Sequence, residues 1–367
     1  MKVIETSIIY ENPKPSLRSR GAAFPNLCQL ADGRILADQQ IGEAFESVDG
    51  ASHLCESLDG GATWSEPWKM FDNSRDAVAV SESSKVTLLP DGRLIALGYQ
   101  FFRHDPELAL GNPETGGLLD DEIFFSISED NGRTWSDRVS VDCAWGKHVE
   151  ASAPVSVLRD GSWATPITGF AKWDGTMSAR NCGRLLRSYD GGKTWNDDTV
   201  CMEFPGDTVT CFEQRMCQLE DGTLVVIGWN EDTVTGERLP NHITFSYDNG
   251  KTFTAPVSTG IGGQASSIMA LEGTKVLTIH SIRRDSDRPG VYACIADVAG
   301  GKWELLEQHI LWEPETPIVG DKKAIAIFAF VKFGQPSAIR LPDGDFLMTH
   351  WYYQDGLYKT CATRFRL

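Results

Sequence analysis

The sequence predicts an all-β protein: a six-bladed β-propeller of four-stranded antiparallel blades, with the ring closed by the N-terminal strand. Three observations predict it. A Leu-x-Asp-Gly turn recurs along the chain, a second turn motif follows it at a regular interval, and the 367 residues include 35 Gly and 11 Trp. Repetition at a period of 40 to 60 residues with strand-forming units is the signature of a propeller.

The first repeat is Leu30-Ala31-Asp32-Gly33, and it returns with its glycine at Gly92, Gly161, Gly222 and Gly344. A shortened copy is Leu271-Glu272-Gly273. Asp-Gly between two alternating apolar segments marks a hairpin, because Gly accepts the positive φ that the turn demands. The second repeat is Ser57-Leu58-Asp59-Gly60-Gly61-Ala62-Thr63-Trp64, and it recurs at 128–135, 188–195 and 246–253, with Phe253 in place of Trp. A decayed copy runs over 297–303. Short Ser and Asp side chains satisfy backbone donors inside such a turn while the aromatic packs beneath. Each unit therefore holds two hairpins, or four strands. The last unit has room for three strands, near 335–341, 345–353 and 358–365. Segment 3–10 has no partner of its own and is expected to supply the fourth, which removes two open sheet edges. Residues 1–367 are read as a single domain.

Composition narrows function. Asp and Glu number 51 against 34 Lys and Arg, a formal charge of -17. Such a surface repels phosphate backbones and anionic lipid, so nucleic-acid and membrane partners are not expected. No apolar run approaches the length of a membrane helix. The first residues, with Glu5 and no apolar run behind it, do not read as a signal peptide. Nine cysteines without a CxxC pair read as reduced, mostly buried thiols. A cytoplasmic location is the expectation, or a secreted one if a leader preceded residue 1. The seven histidines show no metal-binding spacing, and no P-loop, GxGxxG or GxSxG occurs, so no metal or cofactor is expected.

The second repeat is the Asp-box, and with six blades the chain resembles the sialidase superfamily over nearly its full length. The Asp-box itself is read as a folding turn on the face away from the usual active site. The resemblance implies a substrate over the central channel, lined by the innermost strands. Counting nine residues back from each Leu-x-Asp-Gly glycine gives Phe24, Ser83, Ser152, Glu213, Gln264 and Gln335. The family carries Arg-Ile-Pro at the start of blade one, and Ala23-Phe24-Pro25 stands there. Glu213, in Glu213-Gln214-Arg215-Met216, resembles the partner of the family's nucleophilic Tyr. Trp229 falls where a second arginine is expected, and Gln335 where the Tyr would be. Asp49 lies where the family's acid/base loop falls.

Authentic sialidase chemistry rests on arginines that hold a carboxylate, and on that Tyr. With both altered, the expectation is a carbohydrate-active enzyme of divergent specificity, most simply a glycoside hydrolase using Asp49 and Glu213 as a carboxylate pair. Its substrate is a carbohydrate, with an acidic sugar open. Alternatives are a non-catalytic glycan-binding propeller, a polysaccharide lyase with a base drawn from His280, His350 and Tyr352, and a true exo-sialidase. Glu82 and Glu150 begin the inner strands of blades two and three and are read as ligand contacts. Gln264, Gln335, His350 and Tyr352 are read likewise. Arg283, with Arg284 and Arg288, is the densest basic cluster and is read as an anion anchor balanced by Asp285 and Asp287.

Overall fold

A computed structural model describes residues 1–283, 286–315 and 332–367. Six antiparallel sheets follow one another around a ring. Blade one is β2 (Gly21–Gln29), β3 (Ile35–Gly42), β4 (Ala51–Ser57) and β5 (Trp68–Lys69). Blade two is β6 (Val80–Leu88), β7 (Leu94–Phe102), β8 (Asp121–Ser128) and β9 (Val139–Val141). In blade three the innermost strand is broken into β10 (Val149–Glu150) and β11 (Ser156–Val157), both paired to β12 (Trp163–Gly169), with β13 (Gly183–Ser188) and β14 (Asn196–Met202) outside. Blade four is β15 (Phe212–Gln218), β16 (Leu224–Glu231), β17 (Arg238–Ser246) and β18 (Val257–Ser258). Blade five is β19 (Ser266–Ala270), β20 (Lys275–Ile282), β21 (Gly290–Asp297) and β22 (Glu304–Trp312).

Blade six is built from both ends of the chain. Its inner three strands are β23 (Phe333–Arg340), β24 (Phe346–Gln354) and β25 (Leu357–Arg366), and β1 (Lys2–Tyr10) pairs antiparallel with β25. The expected closure by the N-terminal strand is therefore observed. Ser7 Oγ donates to the Gly61 carbonyl at 2.6 Å and accepts from Trp64 Nε1 at 3.1 Å, so β1 also fastens blade six to the Asp-box of blade one.

Both repeats are turns for local reasons. Gly33 sits at φ 89° and its N–H returns to the Leu30 carbonyl at 3.0 Å, closing the hairpin. In the Asp-box, Ser57 Oγ accepts from Gly61 N at 2.8 Å, while Asp59 accepts from the Thr63 N–H and hydroxyl at 2.9 and 2.6 Å. The same bonds recur around Asp130, Asp190 and Asp248. The aromatic that follows packs between blades: Trp64, for example, lies against the cluster of Ile9, Leu27, Ile35 and Leu347. The hydrophobic core is thus a series of interblade seams rather than a central mass. All nine cysteines are free thiols, most of them buried.

Candidate active site

The innermost strands do not run straight. In three of them the pairing slips, between Ala23 and Asn26, between Phe212 and Arg215, and between Gly334 and Ser337. Each slip carries one non-glycine residue with positive φ: Phe24 at 56°, Glu213 at 45° and Gln335 at 42°. β6 of blade two has no such slip from Val80 to Leu88. A bulge re-aims the side chain it carries, and each such backbone costs of order 1–3 kcal/mol, a strain that concentrates at functional sites.

The three bulges converge. Gln335 Nε2 donates to Glu213 Oε1 at 2.5 Å, joining blade six to blade four past blade five, so the bond crosses the central channel. Trp229 Nε1, from β16, donates to Glu213 Oε2 at 2.7 Å. The Glu213 carboxylate is therefore half-buried and oriented from two blades.

Each bulge is braced by a charged side chain from a neighbouring blade. Glu150 Oε2 accepts the Glu213 N–H at 3.0 Å, and its Oε1 accepts from Ser152 N at 2.8 Å. Lys85 Nζ donates to the Phe24 carbonyl, and Arg283 Nη1 donates to the Phe333 carbonyl at 2.9 Å. Arg215 lies among these groups, donating to Ser152 Oγ at 3.0 Å and to the Gln214 carbonyl at 2.8 Å. Burial pushes the Glu150 carboxyl up, with the Arg215 charge opposing and the Glu213 charge adding. Burial likewise raises Asp38 and lowers Lys85, while their mutual attraction opposes both shifts.

Asp49 is placed differently. Its carboxylate binds Arg20 Nη1 at 2.7 Å, Ser47 Oγ at 2.6 Å and the Glu43 N–H at 2.9 Å. Burial would raise its pKa, but the Ser47 and Glu43 hydrogen bonds and the Arg20 charge outweigh it and hold the group below its ordinary value. This is a loop clasp, and an ionised one. Among the described residues no hydrogen bond joins Asp49 to Glu213, and each carboxylate is held by its own set of partners.

Four further expectations are corrected. His350 is fully buried, its ring 4.7 Å from Trp312, and burial lowers its pKa to about 3. Tyr352 is buried against the same Trp312 at 5.3 Å. His350 and Tyr352 share one face of β24, and the residue between them, Trp351, is buried on the other, 6.3 Å from Phe24. His280 is also fully buried, held by Ser266 and Thr278 hydroxyls at 2.8 Å. Glu82 is buried as a clasp between blades one and two, accepting from Ser52 N at 2.8 Å and from the Ser52 hydroxyl. Glu150 and Arg283 lie at the site but act on backbone, and Gln264 is buried at the start of blade five's inner strand. Arg288 pairs with Glu313 at 2.6 Å, while Arg284 and Asp285 lie outside the described residues.

Two features had no motif to announce them. Lys85 and Arg215 are lone charges within strands, where alternation alone reads as a solvated face, yet both are buried. Two aromatic clusters lie on the inner strands and their loops, Phe24, Phe45 and Trp351 in one, and Phe170, Phe212 and the Glu213 partner Trp229 in the other, with neighbouring rings 5.1 to 6.3 Å apart. Along the inner strands of blades three to six lies a cavity of about 80 Å³, lined by Ala153, Arg215, Met216 and Ser337. It has room for a few waters and not for a sugar.

Comparison with known proteins agrees with this architecture. No family profile matches the chain. A sialidase of Paraclostridium sordellii is 26% identical over 266 residues, covering 65% of this chain and 60% of the relative's length. A protein of unknown function from Dyadobacter fermentans superposes with a TM-score of 0.77 at 17% identity, covering 99% of this chain and 98% of that one. The intramolecular trans-sialidase of Ruminococcus gnavus, solved with oseltamivir carboxylate, gives a TM-score of 0.64 at 14% identity over 98% and 97% of the two chains. The chain is thus similar to sialidases in sequence over part of its length, and it shares the six-bladed β-propeller fold with them.

Proposed function

We propose that the chain is a sialidase-related glycoside hydrolase that binds a sugar over the channel mouth and uses Glu213 as its base. The observation that carries the reading is the Glu213 carboxylate, set on a strained bulge and oriented by donors from two blades. The named activities of the Paraclostridium and Ruminococcus proteins support a sugar as the substrate.

Gln335 offers an amide where a nucleophile would stand, and an amide does not form a glycosyl intermediate. The chemistry left to Glu213 is activation of water. The water oxygen bonds to the anomeric carbon, its proton passes to Glu213, and the bond to the aglycone oxygen breaks with its electron pair leaving on that oxygen. Such direct attack inverts the anomeric centre. Asp49 is held ionised and supplies no proton, so aglycones that depart as stable anions are the substrates of choice.

A panel of nitrophenyl glycosides tests this. Turnover of at least one member is expected, with Glu213→Gln slower by about 10²–10⁴ at unchanged melting temperature. No turnover across the panel, with glycans still bound, would sink the hydrolase reading. The rival, a non-catalytic glycan-binding propeller, is favoured by one observation: both Glu213 oxygens already accept hydrogen bonds from the protein.

A further inference from the structure

We infer that the mouth around Glu213 selects uncharged, hydroxyl-bearing sugars and disfavours anionic ones. The inference rests on the mouth being a carbohydrate site, and not on that site being catalytic.

The cations come first, because an anionic ligand needs one to spare. Lys85 is given to the Phe24 carbonyl and faces Asp38. Arg215 is given to Ser152 and the Gln214 carbonyl and lies between Glu150 and Glu213. Arg283 holds the Phe333 carbonyl, and Arg20 holds Asp49 at 2.7 Å. Lys85, Arg215 and Arg283 are matched in number by three acids, Asp38, Glu150 and Glu213. A ligand carboxylate brought here would meet acids beside cations already committed, and a buried charge without its own partner is costly. The chain's formal charge of -17 adds long-range repulsion of the same sign.

The hydrogen-bonding groups favour a ligand that carries hydroxyls. A carboxylate only accepts, so the Gln335 amide must turn its Nε2 toward Glu213, which points its Oε1 the other way. That Oε1 has no hydrogen-bond partner among the described residues, on a side chain only 6% exposed. A lone acceptor calls for an O–H donor, which a sugar hydroxyl supplies. The half-buried rings of Phe24 and Trp229 offer the apolar faces on which a neutral pyranose packs.

Direct binding of the full-length protein to a glycan array of neutral, uronate-bearing and sialylated oligosaccharides tests the inference without requiring turnover. Each neutral hit is then titrated against its acidic counterpart at about 0.15 M salt, where the Debye length is about 8 Å and long-range repulsion is largely screened. Neutral glycans are expected to bind at least about tenfold more tightly, the worth of one favourable polar contact. Phe24→Arg, which adds an uncommitted cation at the mouth, is expected to narrow that preference or reverse it. Equal or tighter binding of the acidic glycan by the unmodified protein overturns the inference, and so does binding of no glycan at all. The unmodified comparison decides even where Phe24→Arg fails to fold. Neutral binding without hydrolysis upholds the inference while removing the hydrolase reading, so the two fail separately.

Discussion

Glu150 of blade three accepts the backbone N–H of Glu213 in blade four at 3.0 Å, so one buried carboxylate sets the position of the other. A bulge leaves backbone groups outside the ladder, and a buried orphan N–H costs about as much as a lost hydrogen bond. Here the neighbouring blade meets that need with a charged acceptor, a stronger bond than a neutral one. Lys85 does the same for the Phe24 carbonyl, and Arg283 for the Phe333 carbonyl, one residue from Gly334 at the blade-six slip. The ring thus converts blade-to-blade packing into side-chain aim at the channel.

Glu150→Gln tests the brace. Glu150 uses both oxygens, one for Ser152 N and one for Glu213 N, and a glutamine can accept at only one end. The amide nitrogen would face an N–H, leaving a buried donor unpaired at a cost of about 1–3 kcal/mol. Urea unfolding should show that loss. Ligand affinity should fall with it, because Glu213 is re-aimed, and unchanged affinity per folded molecule would make Glu150 a purely structural acid.

The fold was legible because its signals are local. A glycine at positive φ and a Ser-x-Asp turn are fixed by bonds within five residues, as around Gly33 and Asp59, so the motifs are read without knowing the tertiary structure. Glu213 and Gln335 were legible through their distance from those turns. His350 and Tyr352 were harder to read, because a count from a turn does not show that Trp312 of the neighbouring blade covers both rings. Glu82 and Glu150 were singled out for the right place and the wrong partner. Their ligands are Ser52 and the Glu213 backbone, on other blades, and such pairing exists only once the ring is closed.

Removal of residues 1–11 should weaken the whole ring. β1 carries Ile9 and Tyr10, both buried, and burying such side chains is worth about 1.5–3 kcal/mol each. It also bonds Thr363 through Thr6 at 3.0 Å, and its loss bares the edge of β25. Urea unfolding of the truncated chain, followed by near-ultraviolet and far-ultraviolet circular dichroism, should show one transition at lower urea by both probes. An unchanged midpoint would mean that β1 merely covers an edge.

His280 and His350 should make acid unfolding steeper. Burial depresses each imidazole from 6.5 to about 3, so between those values the unfolded chain binds a proton that the folded chain refuses. Their contribution is complete above pH 6.5 and is lost as pH falls through that window, at about 1.4 kcal/mol per pH unit for each histidine. Buried Asp38 and Glu82, with raised pKa, act in the opposite sense and are more stabilising when protonated. His350→Asn removes one titration and leaves the others. Unfolding free energy against pH should therefore be flatter for the variant by about 1.4 kcal/mol per unit between pH 4 and 5.5. Parallel curves would show that His350 titrates normally.

Asp49→Asn and Glu213→Gln should separate cleanly. Asparagine keeps an acceptor for the Glu43 N–H and the Ser47 hydroxyl but gives up the ion pair with Arg20, whose two side chains are each 36% exposed. An exposed pair of that kind is worth about 0–1 kcal/mol, so stability should barely move. Turnover of a nitrophenyl glycoside should also persist, because the aglycone leaves without a proton and Asp49 is not placed to supply one. Glu213→Gln should abolish most turnover on the same substrate, because glutamine cannot take the proton from water. Measured together with melting temperatures, the two variants give opposite patterns for a base and a loop clasp. A fall of about 10²–10⁴ in Asp49→Asn at unchanged stability would instead make Asp49 a proton donor and require its loop to leave Arg20 when substrate binds.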